Sequence, residues 1–357
     1  MKNLLSAILI LFFSGVFLAQ DLTSRQKPLT QSEYVRLLYD LEKNPQKVNE
    51  VIETLRTRGI SFVLTDGLRS LTISKSRNNA ELRRALEQAE QRRANPETAK
   101  LPNQKESDEI LKKARQAALT AVEEMPDFIV KQQIQRSAAL AGTNNFRNLD
   151  RLVVAVSYRS DGKEEYKILS INGVIQPNPQ VKNSYEEVGG TSSTGEFVTV
   201  LAKIFKPESE TKFEVADTDL IRGRKTVVFY YSIERDKARQ ALISAGSFTD
   251  TAITGMKGKV WIDRENFRVL KIESEATEIP EGFPIRSARR MIDYDWVTIN
   301  DTKYLLPSLS DVRLTFRESR EFFESRNLIR FKDYQKYGSE VRILDDDEEV
   351  IEDKPKQ

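Results

Sequence analysis

The sequence predicts an α+β protein: a small N-terminal helical domain, then a large curved antiparallel sheet (an incomplete β-barrel) with covering helices. Two observations carry this. From Lys257 to Glu281 apolar and polar residues alternate. Val260 and Ile262 share one face of a first strand, Leu270 and Ile272 share one face of a second, and Lys271 and Glu273 point the other way. A period of two marks a sheet with one dry and one wet face, and it continues almost to the C-terminus. Between Asp21 and Ala94 the apolar period is instead helical and interrupted by capping signals.

The first element is an export signal at residues 1–19. Lys2 precedes an apolar run from Leu4 to Leu18, with cleavage expected after Ala19; the run is short for a spanning helix. The alternative is an uncleaved anchor. No later segment is apolar enough to span a bilayer, and no cysteine near the cut offers a lipid anchor.

Residues 20–94 read as three or four short helices. Thr30 and Glu33 have capping-box spacing, and Leu29 with Tyr34 has the spacing of a hydrophobic staple. Leu37, Leu38 and Leu41 follow as the buried stripe. Pro45 suits the first position of a second helix, lined by Val48, Val51, Ile52 and Leu55 and ended at Gly59. Asn78 and Glu81 repeat the capping-box spacing before Leu82, Ala85, Leu86 and Ala89. Residues 95–106 form a polar linker with two prolines. A helix from Ser107 to Met125, with Ile110, Leu111, Ala114, Ala118, Ala121 and Val122 on a rather small-residue face, is stopped by Pro126.

The sheet begins near Phe128. Leu152, Val154, Val156 and Tyr158 share a face, Asp161-Gly162 predicts a two-residue hairpin turn, and Tyr166 and Ile168 lie on the return strand. A polar loop runs from Gln176 to Thr194. Gly195–Phe205 reads as a helix with Phe197, Leu201 and Ile204 on one side. Strands resume at Phe213–Val215 and Thr226–Ile233, then the Lys257 hairpin, Ile285–Ile299, Tyr304–Arg317 and Glu321–Lys336. The total is a meander of about ten strands, many longer than the usual ~5–6 residues. Residues 345–357 are an acidic tail.

Composition narrows the chemistry. The 357 residues hold 56 basic and 54 acidic side chains, with no cysteine and no histidine. The near-zero balance provides no field for nucleic acid. Disulfides, thiolate metal sites and every triad that uses histidine are excluded. Acid–base work would rest on Asp, Glu, Lys or Tyr. Asp293 and Asp295 share a strand face, but spacing alone gives no opposed environments. Gly189-Gly190-Thr191-Ser192-Ser193-Thr194-Gly195 lacks phosphate-loop spacing and reads as a hinge or plain loop. Arg286, Arg289, Arg290 and Lys271 are candidates to meet anionic headgroups, or else a solvated face. Of Tyr230 and Tyr231 only one can be buried. The reading is not an enzyme, with no cofactor and no metal.

Gly258-Lys259-Val260-Trp261-Ile262-Asp263, a short turn, then Arg268-Val269-Leu270-Lys271-Ile272-Glu273 resembles the hairpin of periplasmic outer-membrane lipoprotein carriers and the lipoprotein-sorting-like family. Tyr304-Leu305-Leu306-Pro307 and Asn327-Leu328-Ile329-Arg330-Phe331-Lys332-Asp333-Tyr334 look like its closing strands. The resemblance spans residues 127–344 at the level of pattern. It implies a curved sheet covered on its concave face by helices, with a cavity that takes acyl chains. The helical domain, the Gln176 loop and the acidic tail are additions.

Two readings follow. In the first, an exported carrier-like protein binds an acyl chain, lipid or lipoprotein in an apolar cavity formed by Phe197, Leu201, Ile204, Val260, Ile262, Leu270, Ile272, Ile292 and Trp296. In the second, those residues are plain core and the protein is an envelope interaction module, with residues 21–94 docking a protein partner.

Overall fold

The computed structural model describes residues 27–96, 100–176, 191, 195–245, 249–318 and 320–337. The expected signal peptide, nearly all of the Gln176–Thr194 loop and the acidic tail lie outside them.

The helical unit follows its caps. Helix α1 (Gln31–Lys43) opens with a complete capping box: Glu33 N donates to Thr30 Oγ1 at 3.3 Å, and Thr30 N to the Glu33 carboxylate at 2.8 Å. Leu29 and Tyr34 are both fully buried. A 3₁₀ turn from Pro45 leads into α2 (Val48–Arg58), which ends at Gly59 with φ +66°. Helix α3 (Asp66–Lys75) was not individually read from the sequence; it is ten residues long and has Gly67 in its first turn. Helix α4 (Ala80–Ala94) is capped by Asn79 rather than Asn78. Asn79 accepts from Leu82 N at 2.9 Å, whereas Asn78 sits in the left-handed region at φ +57°. The four helices enclose a core drawn wholly from residues 29–89.

Helix α5 (Gln104–Glu123) starts three residues ahead of the expected Ser107, inside the supposed linker. Asn103 caps it by accepting from Glu106 N at 2.9 Å, and Ser107 instead bonds back to Gln104 O.

The sheet has twelve antiparallel strands, against the expected ten or so: β1 (Phe128–Leu140), β2 (Arg147–Tyr158), β3 (Glu164–Ile171), β4 (Val174–Ile175), β5 (Lys212–Ile221), β6 (Arg224–Ile233), β7 (Gln240–Ala245), β8 (Thr249–Asp263), β9 (Val269–Thr277), β10 (Ile285–Ile299), β11 (Thr302–Glu318) and β12 (Glu321–Lys336). Its order is β4-β3-β2-β1-β12-β11-β10-β9-β8-β6-β5, with β7 on one end of β8. The last strand thus zips between β1 and β11 in mid-sheet, and β4 and β5 form the two edges of an open, curved sheet. Helix α6 (Thr199–Phe205) is shorter than the expected Gly195–Phe205. Val198 supplies no side-chain cap, and Gly195 turns at φ +78°. A turn of helix, α7 (Arg235–Ala238), precedes β7; neither was expected, since only Leu242 of β7 reaches a core. The Asp161-Gly162 turn is also longer than two residues. It runs from Arg159 to Lys163, held by Asp161 accepting from Lys163 N at 3.0 Å.

Helices α5 and α6 cover one face of the sheet, termed inner here. The α1–α4 unit sits on the other.

Candidate functional site

The inner face is filled. Val260 and Ile262 of β8, Ile272 of β9 and Ile292 of β10 form one cluster with Ile110 and Ala114 of α5 and Ile204 and Phe205 of α6. All are buried, so these sheet positions and their cover make a continuous core. Phe197, in the turn before α6, belongs to a second cluster. Its ring meets Phe128 edge-on at 5.1 Å and Phe331 at 5.7 Å.

Leu270 does not join them. In the β8–β9 pairing, Val260 faces Ile272 and Trp261 faces Lys271, but Ile262 faces Val269. The extra residue is a β-bulge, and it turns Leu270 to the outer face, beside Ile221, Val228 and Trp261. Val269 takes the inner place that the alternation assigned to Leu270.

The two remaining candidates, Leu201 and Trp296, meet at a cavity of about 120 Å³. Ala117, Ala118 and Ala121 of α5 form its small-residue wall, with Tyr304 and Leu305 opposite. Trp296 is 44% exposed there, so a large apolar ring lies at the mouth of a pocket in an otherwise closed core.

Polar groups near α6 were not foreseen. Glu164 of β3 accepts from Gly195 N at 3.1 Å and from the Tyr166 hydroxyl, tying the turn before α6 to the sheet. Burial, with Glu196 nearby, pushes the Glu164 carboxyl above its ordinary value. Reading these contacts requires knowing that the strand passes under that turn.

The other candidate constellations separate. Arg289 pairs with Glu275 at 3.6 Å, Arg286 donates to Glu281 O, and Arg290 shares the inner face with Ile292. Lys271 is buried on the outer face, 4.3 Å above the Trp261 ring and bonded to Glu273. Asp293 pairs with Arg84 at 3.4 Å and Asp295 with Arg222 at 3.8 Å, so the two carboxylates serve different arginines. Tyr231 is buried and Tyr230 is 44% exposed, as alternation requires.

On the outer face, charges alternate across the strands. Lys259 faces Glu273, and Lys257 faces Glu275, which in turn faces Arg289. The α1–α4 unit is held over this face by ion pairs: Arg84–Asp293, Arg92–Asp217 at 3.5 Å and Glu53–Lys259 at 3.5 Å. Between them lies a cleft of about 980 Å³. Its walls come from residues hundreds of positions apart, which no local pattern links.

Burial pushes the Glu273 carboxyl up, but the charges of Lys271, Arg56 and Lys259 outweigh it and hold the group at about 2. Because the folded value lies below the ordinary 4.5, this stabilisation is present above about pH 4.5 and is lost as pH falls through about 2. Thermal unfolding is therefore expected to show a falling Tm over that window, and Glu273→Gln is expected to flatten it. An acid limb unchanged by the substitution contradicts the assignment.

Among the described residues there is no group of three or more potential metal ligands, and no helix is long and apolar enough to cross a membrane. No family profile and no curated protein matches the sequence. Among solved structures, the chain is similar to a DUF1329 family protein from Desulfovibrio piger ATCC 29098, with 8% identity and a TM-score of 0.30 over 65% of this chain and 95% of that one. It is also similar to a putative outer membrane lipoprotein-sorting protein domain from Vibrio parahaemolyticus, with 15% identity and a TM-score of 0.30 over 64% and 93%. A third likeness is to the MucA/MucB complex of Pseudomonas aeruginosa, with 8% identity and a TM-score of 0.18 over 63% and 94%. At such scores these likenesses carry no argument about function.

Proposed function

We propose that the chain is an exported, carrier-like binding protein of the cell envelope that takes an acyl chain beneath α6, without catalysing a reaction. The observation that supports this most is the meeting of Leu201 and a half-exposed Trp296 at one cavity, beside a helix of seven residues. About 120 Å³ is far below the ~300–1,000 Å³ of a ligand pocket, so the pocket is an entry point and α6 must move for a longer chain to follow.

Magnitudes set what can enter. Lifting α6 exposes Val200, Leu201, Ile204 and Phe205, at about 2 kcal/mol each or ~8 kcal/mol in all. Each buried methylene returns about 0.8 kcal/mol, so a chain of roughly ten methylenes balances the loss. Shorter chains leave the lid closed.

Ala121→Phe tests the entry point, because the added ring fills the cavity from the α5 side. It is expected to abolish palmitate binding in titration calorimetry while leaving the urea midpoint near that of the parent. Undiminished binding would remove the pocket from the pathway.

A second reading, the envelope interaction module, is favoured by one specific observation. The α1–α4 unit has its own core and meets the sheet through ion pairs, as a docking unit would.

A further inference from the structure

The cleft between the α1–α4 unit and the outer face of the sheet has a chemistry unlike that of the inner pocket. Its floor runs over β5, β6 and β8–β12, and its roof is the start of α2 with Gln46, Asn49, Glu53 and Arg56. Acidic and basic side chains line it in equal number. Those of the floor face one another across strands, Lys259 with Glu273 and Lys257 with Glu275. A polymer of uniform charge therefore meets no net field there.

Aromatic stacking is not on offer either. Three aromatic residues reach the cleft, and each is engaged. Phe213 stacks on Phe205 at 5.7 Å, Tyr231 is buried with its hydroxyl donating to Glu273 O, and Tyr230 carries the Lys259 ammonium 4.8 Å from its ring centre. Only Tyr230 leaves ring surface exposed, and the Lys259 ammonium already stands over that ring. An acyl chain would lie against the charged rows of the floor and take them out of water.

The lining does offer side-chain amides, namely Gln46, Asn49 and Asn144, each with both a donor and an acceptor for peptide groups. It also offers stripes of alternating sign at the ~4.8 Å spacing of neighbouring strands. The helical core takes no side chain from the sheet, and the contacts that bridge the cleft are polar: ion pairs, and Arg77 donating to Thr143 O at 2.9 Å.

We propose that this cleft is a binding site for an extended polypeptide segment that carries both charges and little net charge, clamped between α2 and the outer sheet face. The site is independent of the acyl pocket.

The test is selection on the intact protein from a library of short random peptides built from Glu, Lys, Asn and Ser. Enrichment of peptides with both signs and near-zero net charge is expected. The affinity of an enriched peptide is expected to fall at least about tenfold in Arg289→Glu, which reverses a charge on the floor, and in Asn49→Trp, which fills the roof. The second variant stands if the first alters folding. Palmitate binding by both is expected to match the parent, which separates failure here from failure of the acyl site. Enrichment of uniformly charged peptides, no enrichment, or affinity unchanged in a folded variant would overturn the proposal.

Discussion

Replacing Gly258 by alanine is expected to destabilise the protein by about 3 kcal/mol or more, the upper range for overpacking a closed interior. Gly258 lies in mid-strand of β8, paired with Ser274 of β9 and Tyr231 of β6. A Cβ there would stand 1.9 Å from Glu273 O, 2.8 Å from its carbonyl carbon and 2.9 Å from the Tyr231 hydroxyl. Two of the three obstacles are backbone of the adjacent strand, so no rotamer change relieves them. The space left by the missing side chain is what lets Tyr231 reach across and donate to Glu273 O at 3.1 Å. Gly282→Ala is the control: nothing lies within 4 Å of its Cβ, and a change within about 0.5 kcal/mol is expected. Urea unfolding of both checks this. Matching midpoints for the two variants would show that β8 and β9 do not approach as described.

The second large effect concerns ligand length. If α6 must lift, affinity is expected to show a threshold rather than a gradual rise. A sixteen-carbon fatty acid carries about eight more methylenes than an eight-carbon one, worth ~6 kcal/mol or at least about 10⁴-fold in affinity. Binding of octanoate is expected to be undetectable at concentrations where palmitate binds measurably. Similar affinities would mean that only the preformed cavity of about 120 Å³ is used and α6 stays in place.

Much of this architecture was readable from local pattern. The bounds expected for β10 and β12, Ile285–Ile299 and Glu321–Lys336, are those observed, because both strands alternate over many residues and end at turns. The Thr30–Glu33 box and the Pro45 start were equally local. Leu270 was misplaced because strict alternation cannot register one inserted residue. Val269 and Leu270, apolar neighbours beside Ile272, were the only hint that both faces needed an apolar group. Neither the filled inner face nor the outer cleft was legible. The first depends on how closely α5 and α6 pack, and the second on where a separate helical unit docks.

The most direct test of acyl binding beneath α6 is native mass spectrometry of the mature protein, gently purified and then incubated with palmitate or palmitoylated lipid. A stoichiometric adduct lost on denaturation, and absent from Ala121→Phe, is the predicted result. A parent protein that stays free of lipid after that incubation would contradict the carrier reading and leave the inner face as plain core.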